Sequence, residues 1–373
     1  MTALRAAFVM EQTLGHVTHH QNLALTVQRQ SAVVATWIPI PFAASGLASL
    51  LPVYGSNWSL RASVRARRQL GKALSARRHD ALFFHTQVTS LFSVGLMRRI
   101  PTVVSLDATP ANYDSVGAAY GHRGAGDGWL DERKFRMNRD AFHAAAHLVT
   151  WSHWAKRSLA ADYGVVADNV TVLAPGAAPS YFDIGAERLA RTVSTRPVRL
   201  LFVGGDFARK GGPLLLEAFS TLTHPDVELH VVTSAAIEPR PRVVVHRDVR
   251  PNTPELHRLF READVFVLPS DGECLAVALM EAAAAALPIV TTDVGALREA
   301  ARDGENAFVI APGDATALRL ALERLSGDEA LRRRLGAAGH ALARELFDAD
   351  TNDRKVLGLI ADVVDRAPSR RVA

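Results

Sequence analysis

Short apolar runs alternate with segments of helical periodicity along most of the chain. Such runs are typical of parallel strands that are covered on both faces of a sheet. The predicted strands are residues 4–10, 31–37, 81–85, 102–106, 148–152, 199–203, 226–234, 242–248, 265–268 and 289–291. The predicted helices include residues 58–78, 130–146, 152–161, 275–286, 296–302, 314–325, 328–347 and 350–364. Strands that alternate with helices predict an α/β fold with doubly wound parallel sheets.

The length of the chain predicts two domains. With 373 residues, each domain is large enough to bury its own core, and 48% hydrophobic and 22% charged residues are ordinary for a globular protein. Residues 184–197 mix polar and apolar positions without a period, so we expect a linker there. The first domain is then residues 1–183, and the second is residues 198–349.

A loop and helix between two buried strands carry a pair of glutamates. Glu273 and Glu281 follow the strand of residues 265–268, with seven residues between them. If the span is helical throughout, they stand roughly 12 Å apart along the axis. Ligands of doubly wound sheets bind where a strand leads into a helix. The pair is therefore predicted to hold both ends of an elongated polar ligand, such as a sugar joined to a nucleoside through phosphates.

A second loop of the same domain is rich in glycine and carries two cations. Residues 204–212 include Arg209 and Lys210, and Pro213 is an acceptable first residue of the next helix. The N-terminus of a helix already favours anions, so the loop predicts a phosphate site. An ordinary surface charge is the alternative for Lys210 taken alone.

The stretch around the two glutamates resembles the E-x(7)-E signature of the family 4 retaining glycosyltransferases. Their GT-B fold consists of two doubly wound, Rossmann-like domains that face each other across a cleft. Residues 288–314, PIVTTDVGALREAARDGENAFVIAPGD, are similar to the rest of that family's donor-binding domain. The resemblance is clearest over residues 198–325 and extends more weakly to the N-terminus. It implies that the last helix, within residues 350–373, crosses back onto the first domain.

The resemblance also implies roles for individual residues. Glu273 would contact the hexose hydroxyls and Glu281 the ribose, while Lys210 would bind the diphosphate. The family's upstream arginine is replaced by Gly205, and Arg209 would compensate. The implied donor-binding residues are Gly15, Gly205, Arg209, Lys210, Val249, Glu273, Cys274, Leu275, Ala276 and Glu281. The implied catalytic residues are Glu273, Asp107, Lys210 and Arg209.

Polar residues after two predicted strands of the first domain are candidates for acceptor contacts. These candidates are His85, Asp107 and Tyr113. Many members of the family have a histidine where Asp107 stands here. An ionised aspartate only accepts hydrogen bonds from a sugar hydroxyl. Either Asp107 takes over the contact with the sugar or the acceptor, or the role lies elsewhere, with His85 as the nearest candidate. A capping aspartate is the alternative, and Gly15 can equally be a simple turn residue.

The resemblance implies transfer of a hexose, with retention, from a UDP- or GDP-sugar to an acceptor hydroxyl. The front-face mechanism of the family needs neither a cofactor nor a metal ion. His16, His19 and His20 have a helical spacing that could hold a metal, but polar histidines on a helix face are common. A glycan, a lipid and a small molecule all remain open as acceptors. A non-catalytic sugar-nucleotide scaffold and a nucleotide-sugar epimerase of the same fold are the alternatives.

Charge and cysteine content add information on partners. The formal charge is +5, and residues 58–78 carry seven basic residues and no acid, with Arg61, Arg65, Arg68 and Lys72 at helical spacing. This pattern fits an anionic membrane surface, and it also fits an ordinary solvated face. No aromatic residues interleave the basic ones for stacking, so nucleic acid is not expected. The single cysteine and the lack of a long apolar run predict a cytoplasmic protein, with peripheral contact to the inner face of the membrane as the alternative.

Overall fold

The computed structural model describes residues 3–13, 15–29, 32–41, 57–121, 126, 128–191 and 197–367. The described strands are β1 (Leu4–Gln12), β2 (Val33–Pro41), β3 (Ala81–His85), β4 (Thr102–Leu106), β5 (His147–Thr150), β6 (Val170–Val172), β7 (Val198–Val203), β8 (Val227–Val232), β9 (Val243–His246), β10 (Val265–Leu268), β11 (Ile289–Thr292) and β12 (Ala307–Ile310). The described helices are α1 (Gly15–Arg29), α2 (Trp58–Ala76), α3 (Val94–Met97), α4 (Pro110–Val116), α5 (Trp129–Ala144), α6 (His153–Tyr163), α7 (Pro179–Ala190), α8 (Gly212–Ser220), α9 (Pro254–Glu262), α10 (Val277–Ala284), α11 (Leu297–Ala300), α12 (Ala315–Gly327), α13 (Glu329–Leu346) and α14 (Ala349–Asp365).

The chain divides into two compact units. The N-terminal unit consists of Met1–Ala111, Ala125–Leu173 and Asp350–Ala373, and the C-terminal unit consists of Asn112–Gly124 and Ala174–Ala349. The change of unit after β6 therefore falls ten residues before the boundary at residue 183 that the sequence suggested.

The N-terminal unit is built on a six-stranded sheet in the order β2-β1-β3-β4-β5-β6, and each neighbouring pair is parallel. β3 and β4 are buried at every position, as their continuous apolar runs predict. One face of the sheet packs Phe8 and Phe83 together with Val356 and Ile360 of α14. The last helix is therefore part of the core of the first unit.

The C-terminal unit has a second parallel six-stranded sheet in the order β12-β11-β10-β7-β8-β9. β10 and β7 are adjacent at its centre, although many residues separate them in sequence. The strand order reverses here, and the carboxyl ends of adjacent strands at such a switch point are where doubly wound sheets bind ligands.

Helix α10 is buried along nearly its whole length beside this sheet. Met280 and the three alanines at residues 282–284 have no exposed surface, whereas Ala278 is half-buried. Gly336 of α13 approaches the residues just after α10 so closely that a Cβ would collide with the carbonyl oxygen of Ala286. Small residues therefore let the two helices pack at short distance.

Several predicted element boundaries were wrong. Residues 184–190 belong to α7 rather than to a linker, and residues 192–196 lie outside the described part of the chain. Residues 110–120 were not among the predicted helices, but they form α4 and a 3₁₀ turn, Gly117–Tyr120. Helix α10 begins at Val277, so the spacing of the two glutamates along one continuous helix does not apply.

The basic helix α2 turns a different face to the core than its pattern suggested. Arg61 is buried with Ala62 and Ala66, and its guanidinium lies 5.9 Å from the ring centre of Trp58. Val64, although apolar, is exposed. The exposed cations of the helix are Arg67, Arg68 and Lys72. Within the described residues, no helix is long and apolar enough to cross a membrane.

Candidate functional site

The loop between β7 and α8 is fixed by two close backbone approaches. The N–H of Gly204 donates to the carbonyl oxygen of Val232 at 2.9 Å. Gly211 has φ of +76°, and a Cβ on this residue would collide with the carbonyl oxygen of Pro269. Only glycine combines this backbone conformation with this approach. The loop after β7 is thereby held against the loop that follows β10.

Hydrogen bonds join these two loops. The N–H of Asp271 donates to the carbonyl oxygen of Arg209 at 2.9 Å, and Ser270 Oγ donates to the same oxygen at 3.2 Å. Thr292, at the end of β11, donates its hydroxyl to the carbonyl oxygen of Ser270 at 2.5 Å. These hydrogen bonds therefore hold the loops at the carboxyl ends of β7 and β10 to each other and to the end of β11.

Two cations and one carboxylate meet where the loops touch. Lys210 Nζ lies 2.9 Å from Glu273 Oε2, and Arg209 Nη1 lies 3.4 Å from the same oxygen. All three side chains are largely buried. Burial opposes ionisation of Glu273, but the charges of Lys210 and Arg209 outweigh it and hold the pKa of this carboxyl below its ordinary value. Three of the residues predicted from the sequence are thus brought into one charged cluster.

Glu281 lies on α10 and is also buried. Burial raises the pKa of its carboxyl to about 7, against the opposing effects of the Tyr181 hydroxyl and the Lys210 charge. Tyr181 is fully buried and packs edge-on against Phe260. Glu281 is therefore a carboxyl that gains or loses its charge near neutral pH.

The backbone between the two glutamates leads directly into α10. Cys274, Leu275 and Ala276 are buried, and Ala276 is the N-cap residue of the helix. An alanine has no side-chain oxygen with which to cap a helix. The predicted role of these backbone amides in binding an anion remains a prediction, and the N-terminus of α10 beside the charged cluster is consistent with it.

Two further predicted donor contacts lie in the loop after β7 and in the turn after β9. Gly205 is exposed, and nothing lies within 4 Å of a Cβ placed on it. Val249 is half-buried in the turn after β9, between Asp248 and Asn252, which both have positive φ. Their roles in donor binding stay predictions.

The carboxyl edge of the N-terminal sheet carries a cluster of histidines and acids. His16 Nδ1 lies 2.8 Å from His85 Nε2, and His16 Nε2 lies 3.8 Å from Asp107 Oδ2. Thr86 donates its hydroxyl to Glu11 at 2.6 Å. Burial raises the pKa of Asp107 and, together with the neighbouring histidines, lowers that of His85 well below its usual value. The imidazole of His85 is therefore neutral at physiological pH.

The accessibility of these residues changes the interpretation of the acceptor candidates. His85 has no exposed surface and stacks on Trp151, with ring centres 5.2 Å apart, so a direct contact between His85 and an acceptor is not supported. Asp107 and His16 retain exposed surface at the sheet edge. Tyr113 belongs to the C-terminal unit and packs against Tyr120, with ring centres 4.8 Å apart.

Gly15 and the neighbouring histidines lie at the start of α1, which follows β1. Gly15 is the first residue of the helix. His19 is buried, and burial with the charges of His16 and His20 lowers its pKa to about 3. In the described part of the chain, no group of three or more His, Cys, Asp or Glu residues could hold a metal ion.

Sequence reasoning missed three residues that contact the predicted site residues. Tyr181 lies next to Glu281, and Tyr120 covers Arg209, with the guanidinium carbon 4.3 Å from the ring centre. A Cβ on Gly295 would collide with the carbonyl oxygen of Glu273, and its φ of +54° also favours glycine. A glycine in the loop after a buried strand was a usable signal for Gly295, whereas nothing in the sequence linked either tyrosine to its partner.

Comparison with protein families matches most of the chain, up to residue 328. The family described as Glycosyltransferase Family 4 matches residues 15–181, and the one described as Glycosyl transferases group 1 matches residues 197–328. Among solved structures, sucrose-phosphate synthase from Thermosynechococcus elongatus superposes with a TM-score of 0.76 at 15% identity, over 98% of this chain and 100% of that one. HepE of Anabaena, solved with UDP and glucose, superposes with a TM-score of 0.69 at 14% identity, over 96% of this chain and 100% of that one.

Curated relatives agree with this match. D-inositol 3-phosphate glycosyltransferase of Corynebacterium diphtheriae is 30% identical over 58% of this chain and 56% of its own length. Phosphatidyl-myo-inositol mannosyltransferase of Mycobacterium leprae is 32% identical over 51% of each chain. Glycogen synthase of Mycobacterium tuberculosis is 26% identical over 79% of this chain and 72% of its own length. The chain thus spans little more than half the length of the first two relatives.

Two units with parallel six-stranded sheets, and the superposed structures, define the fold as GT-B. The chain belongs to glycosyltransferase family 4.

Proposed function

We propose that the protein transfers a hexose from a nucleoside-diphosphate sugar to an acceptor hydroxyl, with retention at the anomeric carbon. The observation that carries this proposal is the buried cluster of Arg209, Lys210 and Glu273. It lies on the loops that leave the carboxyl ends of two adjacent strands at the strand-order reversal of the sheet. Family membership and the relatives that are named as glycosyltransferases support the reaction class.

The charges of the cluster suit a diphosphate leaving group. Without a donor, Lys210 and Arg209 both pair with Glu273, and Arg209 also pairs with Asp206. A bound diphosphate would compete for these cations and free the carboxylate of Glu273 to accept hydrogen bonds from hexose hydroxyls. As the bond between the anomeric carbon and the phosphate oxygen breaks, negative charge grows on the diphosphate. Fixed cations stabilise that charge where it develops.

The proposed transfer takes place on one face of the sugar. The acceptor oxygen bonds to the anomeric carbon on the face from which the diphosphate departs, and the acceptor proton passes to an oxygen of the leaving phosphate. We expect no metal requirement, since Lys210 and Arg209 supply the positive charge. Asp107 and His16, at the edge of the other sheet, are candidates for acceptor contacts.

The names of the relatives support the classes of donor and acceptor that we propose. HepE was solved with UDP and glucose, and two relatives are named for inositol-containing compounds. We propose a UDP- or GDP-hexose donor and an acceptor with several free hydroxyls. We also propose peripheral contact with an anionic membrane through the exposed cations of α2, since Arg67, Arg68 and Lys72 line its solvent side.

The first experiment is a turnover assay with UDP-glucose and GDP-mannose against inositol phosphates, glycans and phosphatidylinositol. Release of the nucleoside diphosphate measures the rate, and proton NMR of the product gives the anomeric configuration. We expect retention, no effect of EDTA, and about a 100-fold loss of kcat in Glu273→Gln. Glu305→Gln is the matched control, because Glu305 is exposed and pairs with Arg302 rather than with a member of the cluster.

Other results would identify the alternatives. Binding of a nucleotide sugar without turnover on any acceptor would favour a non-catalytic scaffold. Conversion of the donor sugar without an acceptor would favour an epimerase. An inverted product would contradict the front-face reaction.

A further inference from the structure

The segment that contains Tyr120 belongs to the C-terminal unit, although the residues on either side of it in the sequence do not. Asn112–Gly124 groups with the C-terminal unit, while the residues before and after it group with the N-terminal unit. Within this segment, the 3₁₀ turn Gly117–Tyr120 lies against the loop after β10. A Cβ on Gly272 would collide with Ala119. The segment is therefore closely packed on the loop that carries Glu273.

Tyr120 closes one face of the Arg209 guanidinium. The guanidinium carbon lies 4.3 Å from the centre of the Tyr120 ring, within the range of a cation–π interaction. Tyr113 packs against the same ring, with ring centres 4.8 Å apart. The Tyr120 ring thus covers one face of the Arg209 guanidinium, and the Tyr113 ring packs against Tyr120.

The edges of the same guanidinium are only partly satisfied. Arg209 Nε donates to Asp206 Oδ2 at 3.0 Å, and Nη1 donates to the carbonyl oxygen of Gly272 at 2.6 Å. Nη1 also lies 3.4 Å from Glu273 Oε2. Nη2 is buried and has no hydrogen-bond partner among the described residues, and the whole side chain is only 3% exposed. Buried donors in native proteins are normally paired, so this one points to a ligand.

We propose that Tyr120 is a positioning residue, which holds the plane of Arg209 so that Nη2 donates to an oxygen of the distal phosphate of a nucleoside diphosphate. This inference rests on the proposed function, and it names the residue that orients Arg209 for its contact with the phosphate. Asp206 and Gly272 fix one edge of the guanidinium, and Tyr120 fixes its tilt. A guanidinium that is fixed before binding loses less side-chain entropy when the phosphate arrives.

The test compares a nucleoside diphosphate with the corresponding monophosphate. Isothermal titration of the full chain with UDP and UMP, and with GDP and GMP, gives the preference for the second phosphate. We expect Tyr120→Ala to reduce this preference by about 3- to 30-fold, the range of a cation–π contact. The affinity for the monophosphate should stay the same, because the second phosphate is the group that Nη2 is expected to bind.

Companion variants separate positioning from folding. Tyr120→Phe keeps the ring and should keep the preference, whereas Tyr120→Leu keeps apolar bulk and should lose it. In an Arg209→Lys background, where the preference is already reduced, Tyr120→Ala should add no further loss, since the planar guanidinium is absent.

The outcomes also distinguish this inference from the proposed function. If the unaltered protein binds none of the four nucleotides, the proposed function fails. If it prefers the diphosphate and both Tyr120→Ala and Tyr120→Leu keep that preference, the proposed function stands and the role of Tyr120 is refuted. An equal loss of affinity for UDP and UMP would mean that Tyr120 only supports the fold.

Discussion

At the scale of single residues, the ionisation of Glu281 is expected to make nucleotide affinity depend on pH. Burial raises the pKa of its carboxyl from an ordinary value of 4.5 to about 7. The family resemblance implies that Glu281 contacts the ribose, and a ribose hydroxyl would donate its hydrogen bond to the ionised form. Nucleotide binding would then favour loss of the proton, so we expect the affinity to rise as the pH rises through the pKa.

This sign gives a measurable prediction. Between pH 6 and pH 8, the affinity for the preferred nucleoside diphosphate should increase by about tenfold, as the ionised fraction of Glu281 grows. Titration calorimetry over this range measures the change. Glu281→Gln removes the titrating group and leaves only the ionisation of the phosphates themselves, so the difference between the two proteins isolates Glu281. A difference that does not vary with pH would refute the role of this carboxyl.

The sequence predicted the charged members of the cluster but not their partners. Lys210 and Glu273 each follow a buried strand, so their positions could be inferred from the rule that binding loops lie at the carboxyl ends of strands. Tyr120 and Arg209 are far apart in the chain, and their contact depends on a segment that joins a unit other than that of its neighbours. Periodicity and loop position contain no information of that kind.

At the scale of elements, the two loops depend on close approaches that glycine alone permits. Gly211 combines φ of +76° with a backbone contact to Pro269, whereas Gly205, in the same loop, faces open space. The two glycines differ in what they support, although their sequence context is similar. This contrast allows a matched pair of substitutions.

We expect Gly211→Ala to lower the free energy of unfolding of the C-terminal unit by at least about 2 kcal/mol, through strain at positive φ and collision with Pro269. Gly205→Ala should change it by less than about 0.5 kcal/mol. Hydrogen exchange of the amides in β10 and α8 measures this unit separately. Tryptophan fluorescence would not, since all five tryptophans belong to the N-terminal unit. Equal protection in the two variants would contradict the constraint at Gly211.

Most strands were predicted from their apolar runs, and β3, β4 and β10 have the expected bounds. Helix α7 was missed because Arg188 lies on its inward side. Its guanidinium donates to the carbonyl oxygens of Ala263 and Phe260 at 2.6 Å and of Ala285 at 2.8 Å. An arginine that satisfies backbone carbonyls looks polar in the sequence and breaks the helical period of the segment. A pattern of apolar positions cannot reveal such a residue.

At the scale of the whole molecule, the positive charge is the property most directly open to test. The formal charge of +5 is accompanied by an exposed basic row on α2. If this row contacts a membrane, binding should require anionic lipid and weaken with salt, because exposed charges are screened.

Vesicle sedimentation tests this expectation. The protein should bind vesicles with 30% phosphatidylserine at low salt and should be released by about 0.5 M NaCl, near which the screening length falls to a few ångströms. The variant Arg67→Glu/Arg68→Glu/Lys72→Glu should not bind. The matched control, Arg332→Glu/Arg333→Glu/Arg334→Glu, makes the same change of charge on α13. Equal binding of both variants would show that α2 is an ordinary solvated face.

The return of α14 to the first sheet has a consequence for biosynthesis. Val356, Leu357, Ile360 and Val363 complete the core around β1 and β3, but they are translated only after the entire C-terminal unit. At ~5–20 residues per second, the ribosome adds the intervening chain in roughly 10–35 s. During that interval the N-terminal unit lacks the helix that covers one face of its sheet. The C-terminal unit, in contrast, leaves the ribosome with all the strands of its sheet. We therefore expect the half of the protein that is synthesised first to be the last to finish folding.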